Sequence, residues 1–157
     1  MTAINITMAS IVNTTQLEDL TVIIKYSTGE IYRGSLNDNG QFHGYGEFIR
    51  PYDQYYKGGF KNGLKHGWCI EQSWNNCIFE GSYEDGKREG KGTEKFKDGD
   101  ELCLNYVNDK RHGPSQLKSR GDNEWKSFYT YYNGEIETMK KENSYLKEFS
   151  EFTSFNV

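Results

Sequence analysis

The sequence predicts an all-β fold, and two observations carry that prediction. Aromatic residues and glycines alternate over short stretches, and those stretches recur at a fixed period. Only 34% of the 157 residues are hydrophobic and mean hydropathy is −0.89, values that would suit a disordered chain. Yet 15% are aromatic, and disordered segments are poor in aromatics. Twelve Tyr, nine Phe and three Trp among 17 Gly and two Pro fit a thin sheet that buries rings on one face.

The period is visible when similar segments are aligned. These are YRGSLNDNGQFHGYG from Tyr32, YKGGFKNGLKHGWC from Tyr56, FEGSYEDGKREGKG from Phe79, LCLNYVNDKRHGPS from Leu102 and WKSFYTYYNGEIET from Trp125. The last four starts are each 23 residues apart; the first gap is 24, its extra residue falling in the turn NDNG. Recurrence at 20–50 residues is the mark of a repeat array. Within a unit, Tyr56, Gly58 and Phe60 alternate with Lys57, Gly59 and Lys61, which places the first set on one strand face. STGE at 27–30, KDGD at 97–100 and SRGD at 119–122 occupy equivalent positions and read as tight turns between hairpins. Glycines near the start of the second strand, Gly44 and Gly46, Gly67, or Gly90 and Gly92, are read as places where a ring lies flat across the backbone.

The unit Tyr-x-Gly-x-aromatic-x-x-Gly-x-x-His-Gly-x-Gly resembles the MORN repeat, best over 32–92 and more loosely over 102–121. The chain is thus expected to be a single-layer, curved antiparallel β-meander solenoid of about ten strands. Residues 1–19 form a flexible or capping N-terminal segment. Residues 20–136 form the array, with a half-repeat at 20–31 (a strand near Val22–Tyr26) and repeats starting near 32, 56, 79, 102 and 125. Residues 137–157 form a C-terminal helix and tail: Ile136, Met139, Leu146 and Phe149 recur near helical spacing and predict a capping helix over roughly 137–151.

Catalytic and cofactor readings fare poorly. His43, His66 and His112 share one repeat position, with Glu89 in the remaining one, the third unit. Equivalent residues two strands apart stand roughly 9–10 Å from each other, too far to share one ion, so no metal or other cofactor is expected. The glycines are spread through hairpins with no helix after them, unlike a phosphate loop. Arg120-Gly121-Asp122 reads as an inter-repeat turn. Cys69, Cys77 and Cys103 offer no disulfide pair and no CxxC, and read as reduced thiols of a cytoplasmic protein. The N-terminus lacks the basic and apolar regions of a secretory signal, no run is long and apolar enough for a spanning helix, and the net charge of −4 carries no basic stripe for nucleic acid. The chain is not read as an enzyme.

The repeated aromatic face is the candidate partner-binding surface. Tyr32, Tyr56, Phe79, Leu102 and Trp125 are read as one row, and Leu36, Phe60, Tyr83, Tyr106 and Tyr129 as a second, both on one face. The expected role is a protein-interaction module or adaptor that docks a peptide or helix along a groove between these rows. The resemblance implies the same, since MORN arrays serve as scaffolds in cytoskeletal or membrane-junction assemblies. Two alternatives stand beside it. One is a peripheral membrane or phosphoinositide-associated scaffold, disfavoured by charge. The other is a self-assembling structural protein, for instance a homodimer joined at sheet edges. On the adaptor reading, Phe60→Ala with Tyr83→Ala removes the partner and spares the fold.

Overall fold

The computed structural model describes residues 11–16 and 21–139. They form twelve strands: β1 (Ile11–Gln16), β2 (Val22–Tyr26), β3 (Ile31–Leu36), β4 (Phe42–Arg50), β5 (Gln54–Lys61), β6 (Leu64–Gln72), β7 (Ile78–Glu84), β8 (Lys87–Lys95), β9 (Glu101–Val107), β10 (Lys110–Lys118), β11 (Lys126–Tyr132) and β12 (Glu135–Met139). They lie in one open antiparallel sheet in chain order, so every strand is hydrogen-bonded to its neighbours in sequence. β2 coincides with the expected half-repeat, and the units starting at 32, 56, 79 and 102 each supply a hairpin.

Turn chemistry sets the hairpins. Asn62-Gly63, Asp85-Gly86, Asn108-Asp109 and Asn133-Gly134 all have both φ angles positive. That is the tight two-residue connection whose twist matches paired strands, and for which Asn and Asp before Gly are favoured. The second residue of each turn also donates its N–H to the strand start one unit back. Gly63 reaches Phe42, Gly86 Lys65, Asp109 Arg88 and Gly134 Arg111, at 2.8–3.0 Å. Each tip is thereby tied to its predecessor. The expected turns at 27–30, 97–100 and 119–122 are present, closed by Gly29 to Tyr26, Gly99 to Phe96 and Asp122 to Ser119.

The core is the ring row laid over a glycine row. Register places Gly34, Gly46, Gly58, Cys69, Gly81, Gly92 and Leu104 opposite one another across seven strands. Tyr32 lies over Gly34 and Gly46, and Phe79 over Gly81 and Gly92; a Cβ at any of the four would stand 2.5–2.9 Å from the ring. The Tyr32 and Tyr56 hydroxyls then donate to the carbonyls of Ser35 and Gly59, each at 2.7 Å, so the rings are pinned at their tips. Gly44, Gly67 and Gly90 act otherwise. They have φ of +71 to +78 and open space where a Cβ would be, and no ring crosses them. With Gly113 (φ +77), each accompanies a shift in strand register, a bulge that bends the ladder.

Three expectations are corrected. The sheet has twelve strands rather than about ten, partly because β1 arises within 1–19. Glu137–Met139, assigned to the start of a capping helix, belong to β12; residues 140–157, where the rest of that helix would lie, are outside the described residues. The fifth unit also leaves the 23-residue period. Asn62, Asp85 and Asn108 are 23 apart, but Asn133 follows 25 residues later. One residue is added before β11, so that Lys126 rather than Trp125 opposes Leu117, and a bulge adds the other between Ser127 and Thr130. Tyr131 therefore opposes Gly113 as Tyr106 opposes Gly90, a place expected for Tyr129.

Close approach and bulge geometry separate the two glycine classes experimentally. Gly46→Ala drives a methyl into Tyr32 and should cost about 1–3 kcal/mol of stability. Gly44→Asn meets open space and a φ that Asn tolerates, and should cost less than about 1 kcal/mol. Urea-unfolding midpoints of the two variants check the order.

Candidate functional site

Above the rings runs a line of charges that alternates in sign and follows the repeat. Lys65, Arg88 and Arg111 are 23 residues apart, as are Glu71 and Glu94. In the first unit their counterparts are apolar: Phe42 stands where the cations do, and Phe48 where the carboxylates do. Phe42 stacks on Tyr32 at 3.8 Å between centroids. In the second unit Lys65 Nζ replaces that ring, 4.7 Å from the Tyr56 centroid and 4.9 Å from Tyr83. In the third, Arg88 lies 4.2 Å over Phe79 and 5.5 Å from Tyr106; in the fourth, Arg111 is 5.5 Å from Tyr131. A cation over a ring face gains from the ring quadrupole, the more so when desolvated.

The carboxylates join one unit to the next. Glu71 pairs with Lys65 of its own unit, accepts the Tyr83 hydroxyl at 2.5 Å, and stands 3.8 Å from Arg88 of the following unit. Glu94 repeats the pattern, 3.6 Å from Arg88, paired with Arg111 ahead and accepting the Tyr106 hydroxyl. The result is a continuous chain Lys65–Glu71–Arg88–Glu94–Arg111. Its carboxylates are deeply set, with the Glu94 side chain 7% exposed and Glu71 13%. Burial alone would raise the Glu71 carboxyl. Lys65, Tyr83 and Arg88 outweigh burial and hold it below the ordinary carboxylate range. Burial first, and then Glu71 or Glu94, pushes the Tyr83 and Tyr106 phenols well above their ordinary range, so both remain donors.

Most rings proposed from sequence lie beneath this line. Tyr32, Tyr56, Phe60, Phe79, Tyr83 and Tyr106 are buried core residues, as are Leu102 and Tyr129, and Leu36 is partly buried against them. Trp125 stands apart, preceding β11, exposed, with Lys118 Nζ 5.9 Å from its ring. The rings thus form a floor, and the charged chain is what reaches the surface of that face. The other face carries Tyr45 and Trp68, both exposed, with Tyr52 and Trp74 at turns. His66 Nδ1 is 3.6 Å from Asp85, while His112 lies against Tyr132. Among the described residues no group of three or more His, Cys, Asp or Glu is placed to hold a metal ion.

A cleft of about 190 Å³ opens beside Lys65, lined by Arg50, Lys65, Glu71, Tyr83, Gly86, Arg88 and Asp109. The family model for the MORN repeat matches residues 38–51, 56–70 and 79–101. The chain carries MORN repeats in these three segments. Lys65, Arg88 and Glu94 lie inside the matched MORN segments, and Glu71 lies one residue past the second. No curated protein is similar enough to this chain to be matched with it. MORN repeats generally mediate protein or membrane interactions, and MORN-repeat proteins are typically non-catalytic.

The charged chain and the core yield two outcomes. Glu71 has a folded-state carboxyl held below its unfolded value. Its contribution to stability is therefore complete above about pH 4.5 and is lost as pH falls through the lower folded value. Glu71→Gln should lower stability at neutral pH and flatten the acid limb of a stability-versus-pH curve. Cys69, fully buried and pushed up to about 12 by burial with Glu71 adding, should resist iodoacetamide in the native chain. Mass spectrometry should find it alkylated only after denaturant is added.

Proposed function

We propose that the chain is a non-catalytic protein-interaction module that docks a peptide or helix across the ring face, as an adaptor or scaffold in the cytoplasm. The observation that carries the reading is the periodic charge line itself. It lies on one face only, follows the repeat, and has the rings rigidly packed beneath it. A surface of fixed, alternating charge over a rigid apolar floor favours one register of an extended partner over others, because a shift brings like charges together. Preorganised anchors also reduce the ordering cost of binding.

The binding residues proposed from sequence keep a role in this reading as the floor on which the charged side chains are held, with the Tyr83 and Tyr106 hydroxyls fixing Glu71 and Glu94. Removing Phe60 and Tyr83, both buried, would empty the core, at about 3–5 kcal/mol for a large aromatic-to-alanine change. That pair of changes is therefore expected to unfold the chain rather than to spare it.

The test selects binders from a random dodecapeptide library and maps them by amide chemical shifts on the full chain. Perturbations are expected along Lys65, Glu71, Arg88, Glu94 and their strand neighbours. Perturbations centred on Tyr45, Ile49 and Trp68 of the opposite face, or a library that yields no binder, would overturn the reading.

A further inference from the structure

The cleft beside Lys65 holds an imbalance of charge. Arg50, Lys65 and Arg88 bring three positive charges to it; Glu71 and Asp109 bring two negative ones. Both carboxylates are already engaged. Glu71 is shared by Lys65, Tyr83 and Arg88, and Asp109 accepts the Arg88 backbone N–H at 2.8 Å. Arg50 is left over. Its guanidinium lies 5.2 Å from the Phe48 centroid, and among the described residues it has no ion pair and no hydrogen bond.

Arg50 is also out of pattern. Counting forward from Arg50 by the repeat, its counterparts are Ser73, Phe96 and Ser119, none of them charged. The charge line is nearly self-compensating along its length, and this one residue adds a cation at its first member. Burial holds the Lys65 ammonium below its ordinary range, Glu71 opposing this and Arg50 adding to it. A negative group placed between Arg50 and Lys65 would relieve both cations at once. Ligand pockets for whole small molecules run to roughly 300–1,000 Å³, so a cleft of about 190 Å³ suits one side chain better than a free ligand.

We infer that the Arg50–Lys65 cleft is a carboxylate subsite that takes one Asp or Glu side chain of the docked peptide. The Arg50 fork donates to the carboxylate, Lys65 faces it with Glu71 still bound, and the apolar stem of the acidic side chain lies toward Tyr83, which lines the cleft. The inference rests on the docking reading above and adds to it the chemistry of one position of the partner.

The experiment is a double-mutant cycle on a peptide recovered from the dodecapeptide library. Titration calorimetry compares the native chain and Arg50→Gln, each against the peptide and a copy with its acidic residue changed to the amide. Thermal unfolding first establishes that Arg50→Gln is folded. Each single change should weaken binding about tenfold, the scale of a hydrogen bond to a charged group. The two together should cost no more than either alone. Recovered peptides without an acidic residue, or losses that simply add, overturn the subsite and leave the docking reading in place. A library with no binders overturns both. Sedimentation with vesicles of phosphatidylcholine and phosphatidylinositol bisphosphate forms the last arm. If binding there requires Arg50 while peptides do not, the anion is a lipid headgroup and the peptide subsite is wrong.

Discussion

The packing of a ring across a pair of glycines is the contact on which the rest of this molecule depends. A single-layer sheet has no second layer to cover its apolar face, so the covering must come from the face itself. Tyr32 and Phe79 achieve it by lying down, and they can do so because Gly34, Gly46, Gly81 and Gly92 present bare backbone. A ring that stood upright would expose its faces and leave a gap at its base. Lying flat, it buries one face against the sheet and presents the other to the next residue above. That upper face is a platform that carries Phe42 on Tyr32 and Arg88 on Phe79, so this member of the charge line rests on a reclining ring.

The central units differ from the ends in what they place on that platform. Phe42 and Phe48 complete an apolar stack in the first unit, and Leu117 takes the carboxylate position in the fourth. Between them the same positions are ionic. Replacing a buried ion pair by apolar residues is often neutral or stabilising, so the ionic version has no clear advantage for the fold alone. Removing one member of a buried pair, by contrast, typically costs about 3–5 kcal/mol. The middle of the array therefore carries a feature that is sensitive to loss and dispensable for packing, which is consistent with a role at the surface.

Much of the fold was legible because its determinants are of constant type. Tyr-x-Gly, Asn-Gly and the 23-residue interval each repeat with the same chemistry, and β2 through β10 follow from them. The charge line was not read, because Phe42, Lys65, Arg88 and Arg111 cross chemical classes and look like variable positions until the rings beneath them are known. Trp125 falls on the expected number by coincidence: the added residue before β11 puts an aromatic where the count requires one and moves the true register to Lys126. Glu137 misled in a similar way. It is the extra residue of a bulge between the pairs Tyr131–Ile136 and Thr130–Thr138, so the apolar Ile136 and Met139 are three apart in a strand and imitate helical spacing. Gly44, Gly67 and Gly90 read as ring-packing glycines because both kinds of glycine sit close together in the sequence, and only their φ values separate them.

The slipped fifth unit has a consequence for what the array can measure. A repeat surface acts as a ruler whose marks are its equivalent side chains, and a partner built to that spacing can be read only where the marks stay in phase. Lys65, Arg88 and Arg111 lie on β6, β8 and β10, four strand spacings from first to last, or about 19 Å at ~4.8 Å each. Beyond Arg111, which opposes Tyr106, the next equivalent place opposes Tyr131 and is held by the uncharged Ile136, so the marks stop there. The usable scale is then about the length of six extended residues. For the docking proposed above, a longer partner gains nothing from continuing the same pattern past β10.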